Sequence, residues 1–182
     1  MSAYKPCALV VVLFGLLVGC GRDGAVARNE EAMLVMLGEA RVLHKRADLH
    51  VMDGNTEAAI ADVREVLAIR FPAGSGDGED TLLDAHARLA RLLLQPRGEE
   101  AERKALAQLE LGRKAATRDS FFSAQLESVA AEVYEARALR LVDPWAQKEA
   151  RKEAVAALGR AIQIDRQVLR TLLSAQDVGE EH

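Results

Sequence analysis

A chain of 182 residues with 49% hydrophobic and 29% charged side chains has the composition of a folded globular protein rather than of a disordered polar one. Its formal net charge is −4 and it has no block of lysines and arginines, so nucleic acid is not expected as a partner. Aromatic residues are only 4%, which leaves Leu, Val, Ile and Ala to build the core and lets helices approach closely.

The first element is a leader. Lys5 is the one base of residues 1–19, no acid occurs there, and the run ALVVVLFGLLV from Ala8 to Val18 is unbroken by polar residues. A run of about 11 suits the apolar region of a secretory leader, whereas a membrane-spanning helix needs about 20 residues. The small Gly19 before Cys20 marks a cleavage point. An ordinary secretory leader followed by an incidental cysteine would read the same way. Leu17, Val18, Gly19 and Cys20, however, resemble the lipobox of bacterial lipoproteins. That resemblance implies that residues 1–19 are removed and that Cys20 carries a diacylglycerol on its sulfur and an acyl group on its nitrogen. Residues 20–29 would then be the lipidated cysteine and its tether. Gly21, where an Asp would favour the inner membrane, implies an outer-membrane anchor facing the periplasm. Cys7 leaves with the leader, so no free thiol is expected in the mature chain, and no cofactor besides the covalent lipid.

Helical periodicity then runs through residues 30–176. From Glu30 to Met52 the residues Met33, Met36, Leu37, Ala40, Leu43, Ala47 and Val51 recur at spacings of three and four, one stripe of an amphipathic helix. Asp53, Gly54 and Asn55 break it, and a second helix from Thr56 to Phe71 ends at Pro72. So short a turn predicts an antiparallel hairpin. Ala73 to Gly78, AGSGDG, reads as a flexible connector, since it lacks the Gly-Lys-Ser/Thr of a phosphate loop. Asp80 can cap a third helix reaching about Gln95, and Pro96-Arg97-Gly98 interrupts it. Glu99, Glu100 and Glu102 suit the positive end of a fourth helix. Asp119 or Ser120 caps a fifth, and Asp143-Pro144 starts a sixth that reaches about Ala175. The last residues, 177–182, are short and polar and are expected to fray. Nothing alternates with a period of two. The fold expected is all-α, about six helices in three antiparallel hairpins.

Gly54 to Pro72 resembles the second half of a tetratricopeptide repeat, with Gly54 in the turn, Ala59 at the helix contact, Val63 and Val66 following, and a closing proline. Glu153 to Asp165 repeats the pattern as Ala154, Leu158, Ala161 and Ile162, while Leu109 and Gly112 match it in the middle pair. The resemblance implies a right-handed stack of hairpins; the alternative is a generic helical bundle. It also implies a groove lined by first helices, with Arg41, His44, Asp48 and Met52 as candidates. His50 and His86 fall in apolar stripes and read as core residues. His44 and His50 are too far apart on the helix to form a metal pair, no serine sits beside a base, and no catalytic constellation is expected. The expected function is an envelope lipoprotein that docks another envelope protein or a peptide. The alternatives are a lipoprotein that binds a small ligand or cell-wall fragment, and a structural bundle that associates with itself. The oligomeric state is left open.

Overall fold

The computed structural model describes the backbone of residues 23–179 and the side chains of residues 29–174. The lipobox residues Leu17, Val18 and Gly19, with Cys20, lie outside the described residues. Six helices follow one another, α1 (Asp23–Met52), α2 (Thr56–Ala68), α3 (Gly76–Leu94), α4 (Glu99–Ala115), α5 (Phe121–Arg140) and α6 (Pro144–Gly179), and no strand occurs among the described residues. The fold is all-α.

The caps account for most boundaries. The Asn55 side chain accepts from Ala58 N at 3.1 Å to open α2, and Ser120 forms a capping box with Ser123 to open α5. Asp143 Oδ2 accepts from Ala146 N at 2.8 Å, with Pro144 in the first turn of α6. Four boundaries differ from the sequence expectation, the first being the end of α2, at Ala68 rather than Phe71. The helix α1 begins at Asp23 rather than Glu30, so most of the expected tether is helical. At the other end α6 runs to Gly179, past the expected end of the domain. The glycine-rich segment is not a free connector: Ser75 caps α3 by accepting from Gly78 N at 3.0 Å, and Gly76 to Gly78 form its first turn. Gly78 is there for contact, since a Cβ on it would lie 2.5 Å from Phe71 Cβ.

Consecutive helices pack in pairs, α1 on α2, α3 on α4 and α5 on α6, and adjacent pairs meet through α2 on α3 and α4 on α5. In addition α3 touches both α1 and α5, whereas α1 touches none of α4, α5 and α6 among the described residues. A closed bundle would bring its last helix back to its first; this is an open row of three hairpins, with α1, α3 and α5 side by side along one face. The core divides accordingly. Ala40, Leu43, Ala47, Ala59, Val63 and Val66 pack with Ala85, Leu89 and Leu92 of α3. The other side of α3, Leu83, Ala87 and Ala90, packs with Ala105, Leu109, Leu126, Val129 and Ala154. So α3 is the spine, buried on two sides, and its alanines are what let four neighbours reach it.

Gly112 sits at the tightest point of that second cluster. A Cβ there would lie 2.8 Å from Leu126 Cδ2 and 3.0 Å from His86 Cβ, so any side chain must push α4 away from α3 and α5. Gly112→Val is expected to destabilise the protein by about 1–3 kcal/mol despite the better helix propensity of valine. For a chain of this length that lowers the melting temperature by roughly 3–10 °C. Calorimetry reads it directly, and an unchanged or raised melting temperature would show that the contact is slack.

Candidate functional site

The row of first helices presents a polar surface. From α1 come Arg41, His44 and Asp48, and across from them on α3 stand Asp84 and Arg88. Arg88 donates to the Asp48 carboxylate and reaches the His44 carbonyl oxygen at 3.5 Å, tying α3 to α1 at the rim. On the α5 side, Gln125 Nε2 donates to Asp84 Oδ1 at 3.3 Å, and Arg91 of α3 holds Glu132 with bonds of 2.7 and 2.9 Å. Two shallow hollows of about 450 and 350 Å³ lie along this surface. Phe122 closes one and Gln125 the other.

His44 is the buried member, its side chain 14% exposed. Its Nε2 stands 3.7 Å from Asp84 Oδ2, too long for a hydrogen bond, and neither ring nitrogen has a partner in the protein. Burial, with the neighbouring Arg88 charge adding to it, lowers the His44 pKa against the opposing pull of Asp84 and Asp48. The ring is therefore held neutral, and although it lines the hollow both of its nitrogens are buried beneath the surface. Asp80 Oδ1, on the same side of α3, is likewise buried without a hydrogen bond.

Of the four residues proposed from sequence, three share this surface. The fourth, Met52, does not line it: it is the last residue of α1, 80% exposed, past the level at which Asp48 meets Arg88, and Val51 lines the hollow there instead. His50 is not a core residue; it is partly exposed, with Nε2 3.7 Å from Asp62 Oδ2. His86 is half-buried between α3 and α4, its Nδ1 against the Gln108 amide, and burial lowers its pKa. Among the described residues no three His, Cys, Asp or Glu side chains converge as a metal site.

A further cavity of about 650 Å³ continues the surface past Arg91 and Glu132, toward the ends of α3 and α5. Leu94, Ala136 and Leu139 make it mainly apolar, and Arg97, Arg140 and Glu102 edge it. Arg140 is fixed there, its guanidinium donating to the buried Glu102 carboxylate at 2.8 and 2.9 Å. Arg97 has a left-handed backbone, φ 55°, in the turn before α4. Sequence reasoning missed this cavity; the available signal was Leu139, an apolar residue off the core stripe of α5. No protein-family model, curated protein or solved structure matches this chain.

Proposed function

We propose that this protein is a lipid-anchored component of the bacterial cell envelope whose stacked hairpins dock a protein or peptide partner near the membrane. The observation that carries the docking role is the side-by-side row of α1, α3 and α5, with an unpartnered neutral His44 between paired charges. Such a surface offers fixed charges of both signs, Arg41 and Arg88 against Asp48 and Asp84, the features that position an extended or helical peptide. The anchor half of the reading rests on the lipobox resemblance of Leu17 to Cys20, and Gly21 after the cysteine supports the outer membrane, facing the periplasm. The tetratricopeptide character rests on the repeated Ala59/Val63/Val66 and Ala154/Leu158/Ala161 patterns.

Crosslinking in the native envelope, with identification of what co-purifies, tests the role. Arg41 is exposed and makes no ion pair among the described residues, so Arg41→Glu should leave the fold intact while reducing recovery of the partner at least tenfold. Undiminished recovery would move the docking surface elsewhere. A second reading, a small amphipathic ligand, draws on the apolar 650 Å³ cavity, whose size is ordinary for ligand sites. Arg97→Glu would then weaken binding while Arg41→Glu would not.

A further inference from the structure

The row of hairpins has two ends, and they match each other. Inside the row, each second helix is covered by the first helix of the next hairpin. Val63 of α2 and Leu109 of α4 occupy equivalent places and are both 0% exposed. Counting from the equivalent alanines Ala59, Ala105 and Ala154, the third member of the set is Leu158 of α6. It is 41% exposed, because no hairpin follows among the described residues. Val155 and Ile162, beside it, are more exposed still, and Leu169 continues the stripe at the same spacing of seven.

At the other end, no hairpin precedes α1 among the described residues. The residues of α3 that face α2 include Ala85 and Leu92, both buried. Aligned through Ala47 and Ala90, their counterparts on α1 are Val42 and Leu49, and Val35 precedes them at the same spacing of seven; all three are exposed. Each end of the row thus carries three large apolar residues, seven apart, and two of the three at each end, Val155 and Ile162 on α6 and Val42 and Leu49 on α1, stand where Ile60, Leu67, Ala85 and Leu92 pack in the interior.

The relative level of the two stripes follows from the internal contact. Thr56 of α2 donates to Gln95 of α3 at 2.8 Å. Carried over to α6 and α1, that level sets Arg151 against Met52. It therefore brings Val155, Ile162 and Leu169 against Leu49, Val42 and Val35 to within one residue. The polar positions also fit. Lys45 falls opposite Gly159 and Arg166 opposite Gly38, and a Cβ built on either glycine meets nothing within 4 Å. Arg151 comes opposite Asp53, and Arg166 lies beside Glu39.

We infer that the α6 face of one copy docks on the α1 face of a second copy, continuing the row of hairpins from chain to chain. Such a contact is heterologous: it does not close on a pair, and it yields a ring or an open filament. A first helix added to the row runs parallel to the first helix before it, so every α1 of the assembly starts from the same side. The inference does not rest on the docking groove or on the lipid anchor.

Cysteine crosslinking tests it on the full chain with Cys7 and Cys20 replaced by serine. Val42→Cys and Ile162→Cys are both on exposed positions, and far-UV circular dichroism checks that the helices persist. Under mild oxidation the double variant should give a ladder of dimers, trimers and longer products, at least tenfold above either single variant. A mixture of the two single variants should stop at the dimer. A double variant that stays monomeric overturns the proposal. So does a dimer from Ile162→Cys alone, which would mean that two α6 faces pair about a two-fold axis.

Discussion

Replacing Cys20 with alanine is expected to abolish incorporation of a labelled fatty acid and to move the protein from the membrane pellet to the soluble fraction. The reason is additive. Each buried methylene contributes about 0.8 kcal/mol, one acyl chain holds a protein only marginally, and two or three chains hold it stably. Losing the whole set changes membrane partitioning by several orders of magnitude, far more than any groove substitution changes partner binding. No described helix is long and apolar enough to cross a bilayer, so the described residues offer no spanning segment in place of the lipid. Label that persists in Cys20→Ala would refute the lipobox assignment. Loss of label with full retention in the pellet would instead assign the membrane attachment to protein contacts.

The helices were legible because each combines a 3.6-residue apolar stripe with a local stop or start signal. Asn55, Ser120 and Asp143 cap the helices that follow them, as their side-chain chemistry requires. Where the reading failed, a residue had a tertiary reason. Gly76 and Gly78 suggest a loop by composition, yet Gly78 is a packing glycine under Phe71, a residue that lies outside its helix. At the candidate site, Arg41, His44 and Asp48 could be found because they share one face of one helix. Asp84 and Arg88 could not, because they join that face only when α3 packs beside α1, about forty residues later in the chain. Met52 is a groove candidate by the tetratricopeptide resemblance, and a repeat pattern does not say how far along α1 the neighbouring helix extends.

The largest stability effect of removing a charge is expected at Glu127. This carboxylate is 7% exposed, between Arg113 of α4 and Arg160 of α6, whose Nε donates at 2.7 Å. It is the one buried acid of α5 and the point at which α4, α5 and α6 are tied together by charge. Burial alone would raise its pKa, but the hydrogen bonds and charges of the two arginines outweigh that and hold it below the usual carboxylate range. Glu127→Gln keeps the volume and removes the charge, leaving two guanidinium groups facing an amide. For a fully buried pair the loss would be about 3–5 kcal/mol. Arg113 and Arg160 are 29% and 46% exposed and recover some hydration, so about 2 kcal/mol is expected at pH 7. The sign of the pH dependence follows from the depressed pKa. The stabilisation is complete above the unfolded-state value of about 4.3 and is lost as pH falls through the folded-state value below it. Wild type and Glu127→Gln should therefore differ at pH 7 and converge in acid, measured by denaturant melts across that range. Parallel curves down to pH 3 would mean that the substitution acts through packing, and that the ion pairs across α4, α5 and α6 contribute nothing to holding the last hairpin on the row.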